Sequence, residues 1–155
     1  MRNDQFAGKV ALVTGAGTGM GADTAALLAQ RGASVALLGR REAPLRDVAA
    51  RIEEDGGKAL VLPADVASPD AVAEAVATVT QHFGALHYAV NNAGVASENA
   101  DVTHMPLEVW QNTIEVNLSA HFYGMRAELP AIAASGGGAS LPFGISPGMP
   151  GFPFG

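Results

Sequence analysis

The sequence predicts an α/β protein: a parallel β-sheet with helices on both faces. Three observations predict it. Short apolar, β-branched runs alternate with Ala/Leu-rich helical stretches along most of the chain. Short connections join them, the pattern of repeated strand–helix–strand crossovers. The first apolar run, Lys9 to Thr14, stops at a glycine-rich turn that opens the first helix.

Each element follows from its own residues. Lys9-Val-Ala-Leu-Val-Thr14 is continuously apolar and bounded by glycine, which suits a strand covered on both faces. Gly19 to Arg31 reads as a helix that Gly32 ends. Ser34 to Leu38 reads as a second strand. Glu42 to Asp55 reads as a second helix with its charges on one side, stopped by Gly56-Gly57. Ala59 to Leu62 is the third expected strand. Ser68 has the chemistry of an N-cap, Pro69 suits the first helical position and Asp70 suits the first turn. That helix should run to about Phe83, before a fourth strand at Leu86 to Val90. Leu107 to about Ala134 carries one long helical pattern, expected to break or kink near Pro130. Trp110 and the methionines read as core. The strand order should be 3-2-1-4.

The last 20 residues differ. Gly136 to Gly155 holds seven glycines and four prolines, and no charge follows Glu128. Proline cannot donate to a ladder and glycine weakens strands. The expected division is a single nucleotide-binding domain over residues 1–135 and an irregular tail over 136–155. A few extended residues near Ala139 to Leu141 would be the remnant of a fifth strand.

Composition removes several function classes. The 155 residues are 48% apolar, enough for one buried core, and only 15% are charged. A net charge of −6 argues against a general nucleic-acid surface, and Arg40-Arg41 is the only adjacent basic pair. Without cysteine there are no disulfides or thiolate metal sites. The four histidines, His82, His87, His104 and His121, lack zinc spacing, so no metal is expected. The polar start, Met1 to Gly8, lacks the apolar core of a secretory leader. No apolar stretch reaches the roughly 18 residues of a membrane span. The expectation is a soluble, cytoplasmic protein.

The first turn carries the main chemical signal. Thr14-Gly15-Ala16-Gly17-Thr18-Gly19-Met20-Gly21 leaves a strand and enters a helix. Small residues let the backbone approach a pyrophosphate. The helix N-terminus supplies unpaired N–H groups and the positive end of its dipole. The Thr-Gly-x-x-x-Gly-x-Gly spacing resembles the short-chain dehydrogenase/reductase family rather than other dinucleotide-binding enzymes. Further motifs extend the likeness. Asp65-Val66 follows the third strand, where the family contacts adenine. Asn91-Asn92-Ala93-Gly94 follows the fourth, where the family supports the sheet and lines the cofactor site. Asn117, in Glu115-Val116-Asn117-Leu118, matches the asparagine of the family's catalytic tetrad. The resemblance spans roughly residues 6 to 138.

The resemblance implies a Rossmann-type sheet and a nicotinamide dinucleotide as cofactor. It places Thr14, Gly15, Gly17, Thr18, Gly19, Met20, Gly21, Arg40, Arg41, Asp65, Val66, Asn91, Ala93 and Gly94 at the cofactor. The implied activity is hydride transfer between nicotinamide and a carbonyl or alcohol substrate. The end of the second strand chooses between NAD and NADP. An acid there binds a ribose 2′-hydroxyl, and an arginine accommodates a 2′-phosphate. Here Gly39 stands where the acid is expected and Arg40-Arg41 follow. A guanidinium can grip phosphate in bidentate fashion. Family members with Gly-Arg at this place favour NADP(H). Glu42 is still within reach of a ribose, so NAD(H) stays open as the alternative.

The rest of the family's machinery is missing from these residues. The family uses a Tyr as general acid/base, a Lys four residues later and a substrate-positioning Ser. This chain has only Tyr88 and Tyr123, followed four residues on by Asn92 and Ala127, and its only lysines are Lys9 and Lys58. After Gly138, where the family continues with an Ile/Val strand ending in Ser, the chain reads Ala139-Ser-Leu-Pro-Phe-Gly-Ile-Ser146. Ser146 lies near the catalytic serine position in an altered setting. It also sits in Gly144-x-Ser146-x-Gly148, which matches a hydrolase nucleophile elbow. Pro147 and Pro150 oppose the helix that elbow needs, and no acid or histidine follows. The expectation is a truncated or frame-shifted, inactive oxidoreductase chain, with a non-catalytic nucleotide-binding or interaction protein as the alternative. Asn117, deprived of its partners, should then pack its helix through backbone hydrogen bonds. The long helix from Leu107 should expose an apolar face open to oligomer formation.

Overall fold

The computed structural model describes residues 4–96 and 101–143. Five strands form one parallel sheet: β1 (Val10–Thr14), β2 (Ser34–Gly39), β3 (Lys58–Pro63), β4 (Tyr88–Asn91) and β5 (Ala139–Pro142), in the order β3-β2-β1-β4-β5. The expected order 3-2-1-4 is present. The extended residues near Ala139 form a true fifth strand, with Tyr88 opposite Ala139 and Asn91 opposite Pro142. The helices are α1 (Gly19–Gln30), α2 (Glu42–Glu54), α3 (Pro69–Phe83), α4 (Leu107–Ile114) and α5 (Ala120–Ala134).

Strand side chains alternate between two cores, which explains why the central strands are apolar throughout. Val13, Val35 and Leu37 pack with Ala22, Ala25 and Ala29 of α1 and Leu45, Val48 and Ile52 of α2. Leu12, Ala36 and Leu38 pack with Val72, Val76 and Val79 of α3 and Ala120 and Ile132 of α5. The alanines of α1 recur at i, i+3 and i+7, so this helix lies close to the sheet. Ser68 caps α3 as its chemistry requires: its Oγ accepts from Ala71 N at 3.3 Å, and Gly84 closes the helix at φ 83°.

Three expectations are corrected. The long helix is not broken near Pro130, which lies inside α5. Pro130 and Arg126, the residue whose carbonyl it leaves unpaired, are both exposed, so water can satisfy the lost bond. The interruption comes earlier, as a π-helical turn at Glu115–Ser119 between α4 and α5. Trp110 is not core but 55% exposed, and Met20 is 66% exposed. None of the residues of α4 is buried, so the apolar side chains of this helix find no sheet to cover them. Among the described residues no helix is long and apolar enough to cross a membrane.

Candidate nucleotide-binding site

The sheet order reverses between β1 and β4, which lie side by side with Val13 opposite Val90. Crevices at such switch points, outside the C-terminal strand ends, are where open α/β sheets bind ligands. The β1–α1 turn stands at this edge. So do Asp65, two residues past β3, and Asn91, the last residue of β4.

The floor of the crevice is a hydrogen-bonded knot between the ends of β1 and β4. Thr14 is buried, and its Oγ1 accepts from the backbone N–H groups of Asn92 and Ala93, both at 3.0 Å. Asn92 returns the contact: its Nδ2 donates to Thr14 O at 3.2 Å and to Gly15 O at 3.4 Å. Gly15 adopts φ 63°, and a Cβ there would stand 3.0 Å from both Ala93 Cα and Asn92 Nδ2. Only glycine suits that combination of left-handed backbone and close approach. Thr14 thus shapes the turn from below rather than facing a ligand.

Above the knot, a cleft of about 110 Å³ is lined by Gly15, Gly17, Thr18, Gly39, Arg40, Arg41, Pro44 and Leu45. The Thr18 side chain makes no cap to α1, and the first turn of α1 holds no acid. The N–H groups of Gly19, Met20 and Gly21 have no intrahelical acceptor by position, so a positive, donor-rich helix end faces outward. Arg40 and Arg41 are exposed, and neither guanidinium is bonded or ion-paired to another described residue. Glu42 is engaged by Arg46 one turn along α2, at 2.8 Å from its Nε.

The remaining predicted residues divide into cleft and support. Asp65 is exposed, and its Oδ1 accepts from Ala67 N at 3.0 Å; Gly94 is also exposed. Val66 is buried in the core against α3. Asn91 is buried, and its side chain turns to Glu128 and Ser140 rather than into the cleft. Asn117, in the π turn, makes a two-way contact with one peptide: Nδ2 donates to Val95 O and Oδ1 accepts from Val95 N, each at 2.8 Å. It ties the loop after β4 to the helix. Ser146 lies outside the described residues.

Two contributors escaped the sequence reading. Asn92 ties Thr14 and Gly15 together, and the placement of its motif at the end of β4 is the signal that points to it. Glu128 carries a fainter signal, as the last charge in the chain and one that stands among apolar residues.

The chain matches the short chain dehydrogenase family model over residues 9–140. It belongs to this family. It is 44% identical over 137 residues to a cyclohexanol dehydrogenase of Acinetobacter sp. (strain SE19), covering 88% of this chain and 55% of that protein. Among solved structures it resembles a metagenomic short-chain oxidoreductase in complex with NADP, at a TM-score of 0.83 and 36% identity, covering 87% of this chain and 61% of that one. It also resembles an NAD⁺-bound xylitol dehydrogenase, at a TM-score of 0.84 and 32% identity, covering 88% and 52%. The chain therefore spans about half the length of the curated relatives it matches.

The residues present fit a nicotinamide dinucleotide. The uncapped end of α1 and the glycine turn offer the donors and the space a pyrophosphate needs. Arg40 and Arg41, without partners among the described residues, offer positive charge at the rim of the cleft. The nicotinamide of such a cofactor supplies hydride exchange when bound.

Proposed function

We propose that this chain forms the NADP(H)-binding part of an oxidoreductase acting on an alcohol or carbonyl compound. The observation that carries this reading is the Arg40-Arg41 pair, without a partner among the described residues, on the same cleft as Gly15, Gly17 and the bare start of α1. A 2′-phosphate there would meet an exposed guanidinium that no carboxylate among the described residues holds, since Arg46 engages Glu42. NAD(H) would lose that contact. The cofactor set is the turn Gly15, Gly17, Thr18, Gly19, Met20 and Gly21 for the phosphates, Arg40 and Arg41 for the 2′-phosphate, and Asp65 for the adenine. Thr14, Val66, Asn91, Ala93 and Gly94 act as the frame of the site.

Calorimetric titration with both cofactors tests this reading. Arg40→Ala should weaken NADP(H) binding by about 1.5–3 kcal/mol, the worth of a charge-assisted hydrogen bond. That is roughly a 10- to 150-fold loss. NAD(H) binding should stay within twofold. An unchanged preference in the variant removes Arg40 from the account.

A nucleotide-binding or interaction role is the second reading, and the same cleft supports it. Self-association fits both readings. Leu107, Trp110, Leu118, Phe122 and Leu129 are each at least half exposed along α4, the π turn and α5. Such a row of apolar side chains is costly in water. Sedimentation equilibrium should show a dimer or larger assembly, and Trp110→Glu together with Phe122→Glu should shift it to monomer. A wild-type chain that stays monomeric at high concentration rejects this assignment.

A further inference from the structure

Glu128 is the one charged side chain of the described residues with no solvent exposure. Its two oxygens are treated differently. Oε2 accepts from Asn91 Nδ2 at 2.9 Å and from Ser140 Oγ at 2.7 Å, so β4 and β5 both reach it. Asn91 Nδ2 also lies 3.3 Å from Ser140 Oγ. Oε1 is buried and has no hydrogen-bond partner. Opposite it stands the bare Cα of Gly124, one turn earlier on α5. A Cβ at 124 would come within 3.0 Å of Oε1 and 2.5 Å of Asn91 Oδ1. Two donors reach one oxygen and none reaches the other, so a proton on Oε1 would displace no hydrogen bond, whereas Oε2 accepts as a carbonyl oxygen does. A carboxylate would leave charge on an oxygen that nothing solvates.

No cation among the described residues offsets that charge. The elements against α5 are α3, β4, β5 and the π turn. On α3 the ionisable residues Asp70, Glu74 and His82 are exposed, and the face turned inward is Val72, Ala75, Val76 and Val79. Tyr88 of β4 packs its ring edge-on to Phe6, and β5 has no titratable residue. Glu115 of the π turn accepts from Tyr123. On α5 itself Arg126 is exposed, and the Nδ1 of His121, two turns before Glu128, is buried without a partner.

We propose that Glu128 is a protonated clamp that ties β4, β5 and α5 together beneath the nucleotide cleft. Its proton keeps a neutral group in the core, and its Oε2 fixes Asn91. The next two residues, Asn92 and Ala93, are those that hold Thr14. Burial pushes the Glu128 carboxyl above the usual range, opposed by the bonds from Ser140 and Asn91. The folded chain therefore binds this proton more tightly than the unfolded chain. The stabilisation is complete below the ordinary glutamate range and is lost as pH rises from there through the raised folded-state value. At alkaline pH the proton leaves to water, a buried charge remains, and the clamp loosens.

The test is independent of whether the cleft takes a nucleotide. Infrared spectra of the full chain near neutral pH should show a protonated-carboxyl C=O band. The band should move on ¹³C-glutamate labelling and vanish in Glu128→Gln. Unfolding followed against pH should show wild type losing stability relative to Glu128→Gln as pH rises. The amide keeps an accepting oxygen for Asn91 and Ser140 but has no proton to lose. Absence of a label-sensitive protonated-carboxyl band in wild type, or parallel pH profiles for the two proteins, overturns the proposal. Should Glu128→Gln not fold, the labelled wild-type band decides alone.

Discussion

The 155-residue chain is expected to transfer no hydride between NADP(H) and any alcohol or carbonyl compound. Hydride transfer creates or consumes an alkoxide, and that charge needs a proton partner in the site. Such a partner contributes about 10²–10⁴-fold. The chain's two tyrosines are unsuited to the task. Tyr123 donates its hydroxyl to Glu115 Oε1 at 2.7 Å. That bond, then desolvation and the Glu115 charge, raises its pKa above the ordinary phenol value, with a smaller opposing effect from Ser119. A phenol held more firmly protonated supplies less of the phenolate that would act as base. Tyr88 opens β4, at the end of the sheet away from the glycine turn, and packs on Phe6 with ring centroids 5.4 Å apart. The lysines are on that far edge too, since Lys9 precedes β1 and Lys58 begins β3. No lysine ammonium is placed to lower a tyrosine pKa at the cleft. A spectrophotometric assay of nicotinamide oxidation and reduction across alcohols and ketones decides. Turnover that disappears in Tyr123→Phe would defeat this account.

Gly21→Val should be the most damaging single substitution at the cleft. Gly21 is buried in the first turn of α1, where the helix crosses the end of β1. A Cβ there would fall inside the contact shell of Gly15 O and 2.6 Å from Asn92 Nδ2. The obstacles are a backbone carbonyl and an amide already bonded to Thr14 O and Gly15 O, so neither can move away cheaply. Overpacking typically costs about 1–3 kcal/mol, and a rigid neighbour puts the site at the upper end. The Asn92 bonds would break with it, and nucleotide affinity should fall below detection. Denaturant unfolding and calorimetry on the same sample separate the two effects. A variant with unchanged midpoint and affinity would show that α1 can back away from the sheet.

The short-range features were legible in the sequence. Short apolar runs mark strands, and four of the five strands lie where those runs do. Ser68, Pro69 and Gly84 bound α3 through contacts within one turn. The π turn was not legible. Glu115 to Ser119 has no residue that breaks a helix, whereas Pro130 does by its chemistry. The tertiary setting reversed both, leaving the Pro130 site to water and placing the irregularity where Asn117 reaches Val95.

By itself, the sequence determined the order of elements, the glycine turn at the start of α1 and the arginine pair after β2, because each depends on neighbours a few residues apart. Only the tertiary structure decided which side chains face the cleft and which hold it up. Thr14 meets Asn92 across 78 residues, and Asn91 meets Glu128 across 37. Polar residues beside a ligand loop look alike in a sequence whether they point to the ligand or into the core. The distinction arises when strand pairing carries distant hydrogen-bonding groups into one buried space, where each must find a partner or give up its charge.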